Sequence, residues 1–334
     1  MEVDILMNKK KYNSIDLWKF IMAFAVVAIH THPLENINNE SIQKIYTIFV
    51  TMAVPFFFLA SGYLMAVKMT WDGAENDLEK IKKQLLRITK MYLIWTLVYL
   101  PLAVYHFIST ATKPIEAVLT YITKFLFVGE QYNSWPLWFL LSSIYSLIVI
   151  LFFIKKFKKP EYLIILSAVA SIICVGVIAF AYYEGTYSPA LENLRPFVML
   201  TTGTARLFQG LVYIPIGMLL SRKKLPTALS VLMLLAAGIV HFFVNNEYVS
   251  GYLTIMASIG LFGLIECLSL KDNAIYAKLR TYSTIIYLIH MYIWTFYYMI
   301  VYGQKTYGAD GFLVTSALAL VIAILYSFIR RSKS

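Results

Sequence analysis

Four ionisable side chains stand inside a stretch apolar enough to enter a bilayer. The run is "SIDLWKFIMAFAVVAIHTHPL" (14–34), and it carries Asp16, Lys19, His30 and His32. At about 100° per residue, a helix brings His30 back to within roughly 20° of Lys19 and roughly 40° of Asp16. Such a stripe is costly against lipid and is expected to face a cavity or a polar partner. Imidazole suits general-base chemistry at neutral pH, taking the proton of an attacking hydroxyl, and it can also act as a nucleophile. Both roles stand open for His30, beside the plainer one of a neutral core histidine bonded to neighbouring helices. His30 lies about 16 Å along the axis from Lys19, too deep for the snorkelling to the interface that is open to Lys19. Asp16 suits a helix N-terminus, whereas Lys19 there opposes the dipole, so a buried Asp16–Lys19 pair is a competing structural reading. His32 precedes Pro33 and is expected to cap the far end of the helix.

The rest of the chain supplies the helices that would position this stripe. Of its 334 residues 60% are apolar and 14% charged, with a mean hydropathy of +0.69. These values point to an all-α integral membrane protein. About ten apolar stretches are each long enough to cross a bilayer. They fall near 15–34, 46–67, 88–109, 134–154, 161–183, 203–221, 226–244, 251–270, 281–302 and 312–330. A single membrane domain, 1–334, is expected to be multi-pass in the cell (plasma) membrane. A cleavable leader is not expected, because the first apolar run is interrupted by charge and lacks a small-residue cleavage site. Cys174 and Cys267 fall within spans and are read as packing residues.

The net charge of +11 is explained by topology. Most of the 29 Lys and Arg residues sit in alternate loops: Lys9 to Lys11, Lys68 to Lys90, "KKFKK" (155–159), "RKK" (222–224), Lys271 to Arg280, and the tail from Arg330 to Lys333. The opposite loops hold Glu35, Glu40, "NNEY" (245–248) and Asp310. The positive-inside rule then makes both termini cytoplasmic, and nucleic acid is not an expected partner. Within the cytoplasmic basic segment 68–90, Leu78, Ile81, Leu85 and Ile88 form an apolar stripe under a basic face, as in an interfacial helix. The segment 183–203 is read as an external loop, with Gly185, Pro189 and Pro196 as breakers.

Further candidates lie on other spans. In "VPFFFLASGYLM" (54–65), Pro55 loosens the helical ladder and Ser61-Gly62 makes a notch for a helix or a substrate. On the ninth span Tyr287 and His290 share a face and could converge on His30, or simply pack. Arg206 could meet an anionic acceptor or snorkel, Trp138 suits packing or stacking on a sugar face, and Trp135 is read as an interface anchor.

Taken together, these motifs resemble the membrane acyltransferase-3 family, which includes surface-polysaccharide O-acetyltransferases and the membrane halves of vancomycin-type serine racemases. Lys19 and His30 match its basic-residue-to-His register, with Lys where Arg is usual. "FFFLASGYL", "WPLWFLLSSIY" (135–145), "GLVYIPIGMLL" (210–220) and "YSTIIYLIHMYIW" (282–294) are similar to its later segments, in order. Two departures stand out: Lys19 cannot offer bidentate geometry, and Arg87 lacks the family's following Pro. The resemblance implies transfer of an acetyl group from cytoplasmic acetyl-CoA to a hydroxyl of a cell-surface glycan or lipid-linked precursor. His30 would be the base, with Lys19 and Asp16 setting its electrostatics. Ser61, Trp138, Arg206, Tyr287 and His290 would line the substrates, and an internal tunnel would flank His30. Lys83, Arg87 and Lys90 would meet the phosphates of the donor acyl-CoA, and no metal is expected. A homodimer is compatible with the sequence. The alternative is a transporter of a small polar solute such as L-serine, or of a glycan precursor.

Overall fold

The computed structural model describes residues 12–332 apart from 72–74, 111–112, 184, 186, 204, 245 and 304–306. The basic residues Lys9, Lys10, Lys11 and Lys333, and Asn245 of the acidic loop, lie outside the described residues. The described residues form helices and no strands. The helices are α1 (Asn13–Thr31), α2 (Glu40–Thr51), α3 (Ala53–Ala66), α4 (Glu75–Thr110), α5 (Pro114–Thr123), α6 (Leu137–Phe157) and α7 (Leu163–Tyr182). They continue with α8 (Pro189–Thr202), α9 (Arg206–Arg222), α10 (Thr227–Phe243), α11 (Glu247–Cys267), α12 (Ile275–Tyr297) and α13 (Ala309–Ser332). Caps fix several ends. The Asn39 side chain accepts from the Ile42 N–H and that of Asn246 from the Tyr248 and Val249 N–H groups. His32 adopts a left-handed φ of 46° and closes α1, as its place before Pro33 suggests.

Eight of these helical stretches are long and apolar enough to cross a membrane, with α2 and α3 together forming one of them. The chain is an all-α integral membrane protein. Every expected span finds a helix, but two fall short of the crossing length. The helix α9 is cut to 17 residues because the chain breaks before it, and it forms a bent pair with α8. The helix α10 has 17 residues.

Two sequence expectations need correction. The segment 183–203 is largely the helix α8: Pro189 sits at its first turn, where a missing N–H costs nothing, and Pro196 is accommodated inside it. The basic segment leads into the third span as read from the sequence, but its apolar stripe meets protein. Residues 75–90 continue into it as the single helix α4, with Ile81 and Ile88 buried. The apolar stripe therefore packs inward on the bundle at the start of α4, while Ile94, Leu97 and Ile108 further along stand exposed, as lipid-facing side chains must.

Close helix crossings organise the core. The Ser61-Gly62 notch of α3 is filled by α9: a Cβ at Gly62 would collide with the Ile214 carbonyl oxygen, and one at Gly217 with that of Leu59. Gly210 brings α9 equally close to Ser142 and Ser146 of α6. Ser167 of α7 donates to the Val212 carbonyl at 2.6 Å. On the other flank, α12 lies between α1 and α13, and α4 reaches it through Tyr99, whose hydroxyl donates to the Leu288 carbonyl at 2.7 Å. Removing that hydroxyl in Tyr99→Phe is expected to lower stability by about 1 kcal/mol, read as a lower thermal midpoint in nanodiscs. The loss is modest because the Leu288 carbonyl keeps its place in the helical ladder; an unchanged midpoint would show that the contact does not hold α4 to α12.

Candidate active site

The stripe on α1 is matched by a second on α12, and the two helices run parallel. Near their starts the Arg280 guanidinium forks onto Asp16, Nε to Oδ1 at 2.8 Å and Nη2 to Oδ2 at 2.5 Å. Asp16 is 2% exposed and Arg280 54%, so the pair closes the end of the α1–α12 seam with its carboxylate inside and its cation at the rim. The competing reading of a buried Asp16–Lys19 pair is thereby set aside: Arg280 offers two donors in the plane of the carboxylate, which an ammonium cannot. No ion pair to Lys19 forms among the described residues. Its ammonium lies within the electrostatic reach of Asp16, Arg280 and Arg87.

At the other end of the seam, His30 and His290 stack with ring centroids 5.3 Å apart. His290 is fully buried, and its Nδ1 lies 2.8 Å from the Tyr287 carbonyl and 3.2 Å from that of Ile286. A carbonyl only accepts, so Nδ1 carries the proton and Nε2 presents a lone pair. That Nε2 has no hydrogen-bond partner among the described residues. An unsatisfied buried acceptor beside a half-buried histidine is an arrangement able to hold a hydroxyl or take its proton. Tyr287 backs the pair. Its ring packs on Phe57 and Phe139, and its hydroxyl donates to the Pro136 carbonyl at 3.3 Å.

A cationic group adjoins the histidines through an aromatic one. The Trp135 ring meets His30 edge-on at 5.4 Å, and the Arg206 guanidinium lies 5.1 Å from Trp135 and 5.6 Å from Trp138. Arg206 is also ion-paired with Glu130. Trp135 is therefore a contact of the site, a place the sequence reading did not give it. Arg206 stands at the start of α9 and is held between the two indoles, which leaves no room for the free snorkelling the sequence allowed.

An acyltransferase-domain profile matches residues 12–329. The chain belongs to the acyltransferase-3 family. Among curated proteins, an amino-acid racemase of Enterococcus faecalis is 26% identical over 96% of the chain and 45% of its own length. A serine/alanine racemase of Enterococcus gallinarum is 27% identical over 72% of the chain and 34% of its own length. The chain thus spans less than half the length of the relatives it matches. No solved structure gives a significant match.

Within this acyltransferase-3 domain the candidate residues fall into two groups. His30, His290, Tyr287, Arg206 and Trp138 gather at one end of the α1–α12 seam. Asp16 and Lys19 lie toward the other, with Asp16 about 21 Å of helix from His30. Ser61 does not line a substrate notch, since α9 occupies it; its hydroxyl accepts from Gln84 Nε2 of α4 at 3.4 Å. Lys83, Arg87 and Lys90 lie along one exposed face of α4, at spacings of four and three residues, and Lys83 is paired with Glu79.

Sequence reasoning passed over Trp135, Glu130 and Arg280 as members of these groups, and Glu266 as a buried carboxylate apart from them. Arg280 was hidden by its topological role among the basic loops, although its spacing of three to Ser283 and seven to Tyr287 marks one helical face. Glu266, whose side chain is 1% exposed, accepts from the Tyr63 hydroxyl at 2.9 Å and pairs with Lys224 at 3.2 Å. A carboxylate at the end of an apolar run was the available signal for it.

Proposed function

We propose that the chain is a membrane-bound O-acyltransferase that moves an acetyl group from cytoplasmic acetyl-CoA to a hydroxyl of a cell-surface glycan or lipid-linked precursor. Family membership supports acyl transfer in general. The observation that carries the finer reading is the His30–His290 stack, with its unpartnered buried acceptor nitrogen and a cation–aromatic group beside it. In this reading a neighbouring hydroxyl of the acceptor donates to His290 Nε2 and so holds the attacking hydroxyl against His30, which takes its proton. The attacking oxygen then bonds to the thioester carbonyl carbon, the C–S bond breaks, and the departing thiolate takes the proton back from His30. Lys83, Arg87 and Lys90, along the exposed face of α4, would meet the phosphates of the donor.

A second reading is favoured by the racemase names of the relatives: a membrane unit that moves serine for a racemase. One experiment separates the two. Purified protein in nanodiscs is given radiolabelled acetyl-CoA, and wild type is compared with His30→Ala. Thioester turnover lost in the well-folded variant supports acyl transfer. If wild type leaves the thioester untouched while wild-type proteoliposomes accumulate serine, the transporter reading takes its place.

A further inference from the structure

Glu130 belongs to no recognised motif, yet it begins a continuous row of side chains that ends on His30. Its carboxylate holds Arg206; Arg206 lies between Trp135 and Trp138; Trp135 touches His30. Glu130 is itself held in place. The preceding Gly129 has a left-handed φ of 76°, and a Cβ there would come within 2.7 Å of the Trp138 Cα, so the turn presses directly on α6. Just beyond, Gln131 donates its N–H to Ser134 Oγ at 2.8 Å and its side-chain amide to the Tyr121 carbonyl at 3.0 Å. With side chains only 18% and 30% exposed, Glu130 and Arg206 are a largely desolvated pair in which each charge depends on the other.

We propose that Glu130 is a positioning residue, fixing Arg206 between the two indoles so that Trp135 in turn fixes the ring of His30. The chemical part of this inference rests on the acyl-transfer reading. A guanidinium between two ring faces is free to slide along them, and the carboxylate at one edge stops that movement. Without the negative charge, a half-buried uncompensated Arg206 is drawn toward water, and Trp135 loses its backing. Glutamine keeps the shape of Glu130 and removes the charge; aspartate keeps the charge on a shorter stem.

The test reads His30 directly. Wild type, Glu130→Gln, Glu130→Asp and Trp135→Phe in nanodiscs are treated with diethyl pyrocarbonate across a range of pH, and modification of each histidine is followed by mass spectrometry. Glu130→Gln and Trp135→Phe are each expected to change the His30 rate about threefold or more, and a variant carrying both substitutions to change it no further. Glu130→Asp should restore much of the wild-type rate, and the exposed His32 and His106 should react as before. A wild-type His30 rate in both Glu130→Gln and Trp135→Phe overturns the proposal. The same samples are assayed with acetyl-CoA, where Glu130→Gln should lower kcat about tenfold and leave KM within about twofold. A changed His30 rate in a protein that never turns over the thioester keeps Glu130 as a positioning residue and overturns the acyl-transfer reading instead.

Discussion

A His290→Leu variant is expected to fold at least as well as wild type while its acyl transfer falls about 10²–10⁴-fold. The two effects have one cause. His290 Nε2 is a buried acceptor without a partner among the described residues, and such a group destabilises the protein that contains it. Leucine fills similar space with no lone pair to leave unsatisfied. The bonds lost at Nδ1 go to the Ile286 and Tyr287 carbonyls, which the helix already engages, so their loss costs little. The net gain should be about 1 kcal/mol, visible as a higher thermal midpoint. Because His30 and His290 would act on one acceptor molecule, a His30→Ala, His290→Leu double variant should be scarcely slower than either single variant. Wild-type turnover in His290→Leu would remove His290 from the chemistry, and a lowered midpoint would mean that Nε2 has a partner in the bilayer.

Much of this site was legible because helical spacing carries over to three dimensions. Tyr287 and His290 share a face in any α-helix, and so does a residue eleven beyond another, so their convergence with His30 needed only that two helices pack in parallel. Two things were not legible. Asp16 found Arg280 and not Lys19, because that choice depends on which helix lies alongside and on guanidinium geometry, neither of which is local. Glu130 was invisible for a different reason. It sits in a turn between α5 and α6, where no period operates, and its role comes from an arginine remote in sequence.

The fold shows the same division. Long apolar helices announced themselves by length, but the break before α9 did not, since "TTGTA" (201–205) looks mild beside the prolines upstream. Ala205 takes φ 69° there, and Gly203 takes 55°. Both residues stand in the left-handed region at the corner that leads from α8 into α9. That corner also delivers Arg206 to the two tryptophans, so the feature hardest to read in the sequence is one that the site depends on.

The crossing of α3 and α9 yields the largest structural effect expected of a single added methyl group. Helical glycines differ here only in what faces them. At Gly62 and Gly217 the added Cβ meets backbone: the Ile214 carbonyl oxygen in one case and the Leu59 carbonyl oxygen in the other, with carbonyl carbons at 3.0 and 2.9 Å. Backbone cannot rotate aside as a side-chain tip can, so α3 and α9 must separate along their length. Overpacking of this kind costs about 1–3 kcal/mol or more, beyond the roughly 1 kcal/mol that alanine gains over glycine in a helix. At Gly176 and Gly238 nothing among the described residues lies within 4 Å, and only the gain remains. Gly62→Ala and Gly217→Ala should therefore lower the thermal midpoint or abolish a monodisperse peak in size-exclusion chromatography, while Gly176→Ala and Gly238→Ala hold or raise the midpoint. The consequence reaches the site, because α9 carries Arg206 at its first position and α3 carries Phe57 against Tyr287. Equal midpoints across all four variants would mean that the two helices do not approach to backbone contact, and the placement of Arg206 beside His30 would lose its support.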